Sequence, residues 1–127
     1  MVAPKFRVWV EAEETMHPVL SLDWSGIGDN LTVFVPMGHS SLRAVSIDNA
    51  ILMQSTGKMD STGQVEVYAG DILYYPDQDE DNYGIIKFDE DTLAFVLDNG
   101  YERFVYGDYG MGKVIGNIYE NPELVEG

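Results

Sequence analysis

The chain has 127 residues, 45% of them hydrophobic, with 22 Asp and Glu against 7 Lys and Arg and a formal net charge of −15. That length holds one ordinary domain, or two very small ones sharing a core, and the apolar content excludes global disorder. The lack of cysteine excludes disulfides, thiolate metal sites and a Cys nucleophile, and seven scattered cations are too few to line a groove for a phosphate backbone, so direct nucleic-acid binding is not expected.

In chain order, Lys5 to Glu11 alternates Phe6, Val8 and Val10 with Arg7, Trp9 and Glu11, the period of a half-buried strand. Glu11 to Pro18 is acidic and reads as a turn, and Val19 to Trp24 as a weaker strand. Ser25 to Asn30 is a loop by its Gly, Asp and Asn content. Leu31 to Val35 alternates again and is expected to stop at Pro36, which lacks the ladder donor. Pro36 to Ser41 is a loop. Leu42 to Ile47 fits a strand or a single helical turn, and Asp48-Asn49 a turn.

From Ile51 the pattern tightens. Ile51 to Met53 is a short apolar run. Gly57 and Gly63 flank a polar connection, Lys58 to Thr62. Gln64 to Tyr68 alternates, with Val65 and Val67 placed on one face. Ala69-Gly70-Asp71 is a tight turn with Gly70 at positive φ. Ile72 to Tyr75 starts a strand that Pro76 should end. Asp77 to Asn82 is a charged loop. Gly84 to Asp89 and Leu93 to Asp98 are expected to pair across Glu90 to Thr92. Asn99-Gly100 reads as a two-residue hairpin turn into Tyr101 to Tyr106. Gly107 to Gly112 is loop, Lys113 to Tyr119 a last strand, and Glu120 to Leu124 a turn or single helical turn.

Short strands at about ten-residue spacing argue for a mainly β fold: a small barrel of antiparallel strands with little helix. The expected division is an N-terminal β unit, 1–49, and a C-terminal β-barrel, 50–127, with no linker between them. No secretory apolar stretch opens the chain, because Lys5, Arg7 and Glu11 interrupt it. No apolar run approaches the roughly 20 residues of a membrane helix. A cytoplasmic protein with no membrane contact is expected.

Three blocks together carry a resemblance. The first is Lys5-Phe6-Arg7-Val8-Trp9. The second is Leu52-Met53-Gln54-Ser55-Thr56-Gly57, then Asp60 and Gly63, then Tyr68-Ala69-Gly70-Asp71-Ile72. The third is Val114-Ile115-Gly116-Asn117-Ile118-Tyr119-Glu120-Asn121-Pro122-Glu123-Leu124. In order and spacing across most of the chain these blocks resemble the YopX family of phage and prophage proteins. Ser55 stands where an aromatic residue is common, Ala69 stands where an acid is common, and Met16 to Asp48 matches poorly. The resemblance implies a phage or prophage gene product with a β-rich fold, working in the host cytoplasm. It carries over no catalytic residue: the shared positions are mostly turn formers and core apolars, which suits a fold signature.

The residues offer few sites of their own. Asp77, Asp79 and Asp81 alternate as acids do in a Ca²⁺ loop, but Asn82 stands where that loop needs Gly and Phe88 where it needs the bidentate Glu. A solvated hairpin is the plainer reading, and no metal or cofactor is expected. His17 and His39 stand alone, no nucleophile elbow marks a Ser-His-Asp group, and GDYGMG at 107–112 lacks Walker spacing. No catalytic residue is assigned. The charge, however, is uneven: residues 76–100 carry eight acids and one base. All eight tyrosines lie between Tyr68 and Tyr119, and tyrosine is enriched at interfaces. The expectation is a non-enzymatic, self-associating protein that binds a host or phage protein through Asp77, Asp79, Glu80, Asp81 and Tyr83. The alternatives are a DNA mimic that inhibits a nucleic-acid enzyme, and a nucleotide-like ligand binder in an oligomer. The cations available to hold a phosphate are Lys58, Lys87, Arg103 and Lys113.

Overall fold

The computed structural model of the chain describes residues 5–24, 31–38, 41–77, 80–106 and 112–125, with the side chains of residues 76, 77 and 80 left aside. Strands hold 60% of the described residues, and no α-helix occurs among them; the mainly β fold read from the sequence is the fold observed. The chain divides into two compact units, one spanning Ala3–Gln54 and the other Ser55–Gly127 together with the first two residues.

In the N-terminal unit the first ladder joins β1 (Phe6–Val10) to β2 (Thr15–Pro18) on one side and to the start of β6 (Ala50–Met59) on the other. A second ladder runs β3 (Ser21–Asp23), β4 (Thr32–Pro36), β5 (Leu42–Ser46). The alternating valines do what their period demands: Val8, Val10, Val33, Val35 and Val45 form one buried cluster with Leu31. The amide N–H groups of Val19 and Leu20 donate to Phe6 and Phe34 in turn, so the chain passes from one ladder to the other without losing backbone bonds.

Three expectations change here. The turn after β1 is confined to 11–14, with Glu14 at φ 54°, and Thr15–Pro18 is a strand. β2 lies at the outside of its sheet and has no apolar alternation; pairing with β1 makes it a strand. Pro36 is the last residue of β4 and not the residue after it. The stretch 42–47 resolves into strand β5 followed by a 3₁₀ turn, Ile47–Asn49, where Ser46 Oγ accepts from the Asp48 amide. The loops expected at 25–30 and at His39 lie outside the described residues.

In the C-terminal unit the rest of β6 pairs with β7 (Glu66–Tyr68) through a register shift. Gly57, at φ 77°, sits in that irregular stretch, so β6 runs on to Met59 where a connection was expected. Side-chain hydroxyls replace ladder bonds there: Ser55 Oγ accepts from the Gly57 amide, and Thr56 Oγ1 donates to the Val67 carbonyl. Val67 is fully buried but Val65 precedes the strand and is exposed, so the two do not share a face.

The main sheet is an antiparallel half-barrel in the order β11-β10-β9-β8-β12, built from β8 (Asp71–Asp77), β9 (Glu80–Asp89), β10 (Ala94–Asp98), β11 (Arg103–Val105) and β12 (Lys113–Asn117). A 3₁₀ turn, Pro122–Leu124, follows. Val67, Leu73, Tyr75, Ile86, Leu97 and Tyr106 form the core, with Phe95 and Val114 against it. Gly84 is required by that core: a Cβ there would sit 2.7 Å from Leu97 Cδ1.

Pro76 does not end β8. It pairs with Asp81, beyond Tyr74 where the pairing with β12 stops, so its missing donor interrupts no ladder on that side. The expected loop at 77–82 is a hairpin in which Asp77 pairs with Glu80 and only residues 78 and 79 intervene. The hairpin at Asn99-Gly100 exists, but four residues separate Asp98 from its partner Arg103. Gly100 takes positive φ and Asn99 does not. Instead, Asn99 Oδ1 accepts from the amides of Tyr101 and Glu102 and closes the wider turn.

Candidate functional site

The β8–β9 hairpin carries the sequence-predicted site. Alternation along β9 puts Asp81, Tyr83, Ile85 and Lys87 on one face, opposite the face that buries Ile86. Register then places Tyr74 beside Tyr83, Asp98 beside Ile85 and Val96 beside Lys87.

Tyr74 and Tyr83 make a tilted ring contact with centroids 5.5 Å apart, and the Tyr74 hydroxyl donates to Asp81 Oδ1 at 2.7 Å. The bond to the carboxylate, with some burial and the charge of Asp81 behind it, raises the Tyr74 pKa. Tyr83 remains 46% exposed and Asp81 is exposed. The structure therefore brings Asp81 and Tyr83 together with Tyr74, which sequence reasoning had only counted among the tyrosines. Asp77 and Glu80 occupy paired backbone positions at the hairpin end. Asp79 lies outside the described residues. Among those described, no three His, Cys, Asp or Glu residues are grouped as a metal site.

Beyond Tyr83 the same face opens into a cleft of about 390 Å³, walled by Ile85, Lys87 and Asp98 from the sheet and by Leu124 and Val125 from the C-terminal turn. Lys87 Nζ and Arg103 Nε both reach Asp98 Oδ2, at 3.2 and 3.3 Å. Asp98 Oδ1 accepts the Gly100 amide at 2.8 Å. The Gly100 bond pulls the Asp98 pKa down; burial opposes it, and Lys87 and Arg103 add to it, leaving the carboxyl below its usual range. In the sequence Lys87 and Arg103 stood only among the cations available to a phosphate, and Asp98, which joins them, was not singled out. The signal for the cleft face was the i, i+2, i+4 spacing of Tyr83, Ile85 and Lys87, which reads as one face only once the stretch is known to be strand.

His17, expected to be alone in a turn, stands on β2 with Nε2 2.8 Å from Thr15 Oγ1.

The residues that carry the family resemblance do different work. Asp60 is buried, and its carboxylate accepts from Thr62 N–H at 3.0 Å, from the Thr62 hydroxyl, and from Val114 N–H at 3.1 Å. Burial pushes its pKa up, yet these bonds outweigh burial and hold it below the usual carboxylate range. Asp71, also buried, accepts from Tyr68 N–H across the Ala69-Gly70 turn. Gly70, at φ 91°, donates to Ile86 and accepts from Ile118. Asn117 and Asn121 cross-bond through side chain and backbone and lock the C-terminal turn. The polar members of the signature are clamps, and none of Asp60, Asp71, Asn117 and Asn121 lines the cleft; of the signature, Leu124 does.

The family model for the YopX protein matches residues 5–126. The crystal structure of protein yopX from Bacillus subtilis superposes with a TM-score of 0.66 at 27% identity, covering 97% of this chain and 96% of that one. No curated protein matches. With the model matching nearly the full length, including 16–48 where the motif resemblance was weak, the chain belongs to the YopX family.

Proposed function

We propose that this chain is a non-enzymatic phage or prophage protein that binds a basic protein partner through the Tyr74–Asp81–Tyr83 face of the β8–β9 hairpin. The observation that carries this reading is the exposed Tyr83 ring, supported from behind by Tyr74, whose hydroxyl is tied to Asp81. A ring fixed in place loses little freedom on binding and so makes an efficient contact. The surrounding acids steer a basic partner, and that steering weakens with salt. Self-association belongs to the same reading. All three residues of β11, the outer strand of its sheet, are exposed, Val105 at 66%, and an open strand edge is a pairing surface.

The test compares the wild type with Tyr83→Ala and Asp81→Asn as bait in host lysate, at low and high salt, with light scattering of the pure protein for its assembly state. A basic partner held by the wild type at low salt and released by either folded variant supports the proposal. Equal retention by all three, or no partner at either salt, overturns it.

A further inference from the structure

We infer that the cleft beside Tyr83 is a binding site for a small amphiphilic anion, a molecule with a flat ring at one end and a phosphate or carboxylate at the other. The inference does not rest on the partner reading and shares only Tyr83 with it.

The anionic end follows from charge counting. Lys87 and Arg103 are two of the seven cations of the chain, and both converge on Asp98. That carboxylate is already occupied on both oxygens, by the two cations and by the Gly100 amide. Three of its roughly four acceptor sites are taken, and the three groups together carry one surplus positive charge. The Lys87 side chain is half exposed, and its ammonium has N–H donors beyond the one spent on Asp98. An anion arriving there gains a charge-assisted hydrogen bond without first breaking the ion pair.

The ring end follows from the other end of the same strand face. Tyr83 offers a half-exposed ring, with Ile85 between it and Lys87 on the strand and Leu124 and Val125 adding apolar surface to the cleft. Tyr83 and Lys87 are four residues apart on one strand, about 13 Å along it. That is a backbone separation; two side chains several ångströms long shorten the interval for a ligand to the length of a ring carrying an anionic group on a short linker, and the cleft volume lies within the usual range for small-ligand sites. The net charge of −15 opposes any anion at long range, so binding must come from the local contacts and strengthen as salt screens the remote acids.

The test is amide NMR titration of the full chain with adenosine monophosphate and, separately, indole-3-acetate, which distinguish a phosphate from a carboxylate source. Adenosine and inorganic phosphate are the half-ligands. Saturable shifts confined to 83–87, 98–100 and 124–125 with either whole ligand, at least tenfold weaker with both halves, support the site. Lys87→Met should weaken that binding at least tenfold with an unchanged melting temperature, and Tyr83→Phe should preserve it. Three results would overturn it: no shift at millimolar concentrations of either whole ligand, shifts spread over the surface, or equal affinity in Lys87→Met.

Discussion

The two units of this chain are stabilised in different ways. The N-terminal unit is held by a nearly all-valine cluster, while the C-terminal unit adds buried carboxylate and amide clamps, Asp60, Asp71 and Asn117, to its apolar core. Apolar burial is tolerant of substitution so long as volume and pattern persist. A buried carboxylate tolerates little, because losing one partner strands the other. The contrast accounts for where the resemblance is concentrated. It also has a built-in readout, because both tryptophans, Trp9 and Trp24, lie in the first unit and all eight tyrosines in the second.

The largest effect should come from Asp60→Ala. It removes the acceptor of three hydrogen bonds and leaves the Val114 amide without its partner, at a cost of about 3 kcal/mol. Urea unfolding followed by the tyrosine signal measures it; a loss under about 1 kcal/mol would show the clamp to be incidental. Because the folded Asp60 pKa is lowered, its contribution is present above the unfolded carboxylate pKa and is lost as pH falls through the folded value. Asp60→Asn should therefore flatten the acid side of the stability profile.

Next comes Gly84→Ala. The added methyl meets the fully buried Leu97, and overpacking of this kind costs about 1–3 kcal/mol. Calorimetry should show a lowered melting temperature, and an unchanged one would mean that Leu97 has room to move.

Tyr106 gives a subtler, alkaline signature. Burial first, then the charges of Asp60 and Asp71, push its pKa up to about 12. The folded state thus keeps a proton that the unfolded chain releases near pH 10. The associated stability is complete below pH 10 and is lost as pH rises towards 12. Tyr106→Phe should remove that part of the decline, and an identical alkaline profile would refute the assignment.

The strands of the first unit were legible because valine alternation and burial coincide at Val8, Val10, Val33 and Val35. β2 was not, because a polar outer strand has no pattern apart from its neighbour. At the site, Asp81 and Tyr83 could be named from composition, but Tyr74 as their partner could not. That pairing depends on a two-residue connection at 78–79, and a slip of one residue in register sends every side chain to the other face. Pro76 suggested a break and so hid the register. The joining of Lys87 and Arg103 through Asp98 was hidden for a different reason: the three lie on three strands, and only the register across β9, β10 and β11 brings them together.

The smallest effect is expected in the first unit, and it tests the contrast from the other side. Arg43 grips Glu13 with both terminal nitrogens. This bond first, against some desolvation and aided by the charge of Arg43, lowers the Glu13 pKa. Judged by geometry alone, this pair rivals Asp60. Glu13 is exposed and Arg43 partly so, however, so water and salt screen the attraction, and holding two long side chains in one arrangement costs entropy. Asp60 has neither escape: its replacement solvent is excluded. Glu13→Gln should leave the tryptophan-detected unfolding midpoint unchanged within error at 0.15 M salt. A shift approaching that of Asp60→Ala would mean that burial is not what separates the two units, and that the exposed ion pair organises the β1–β2 turn against β5.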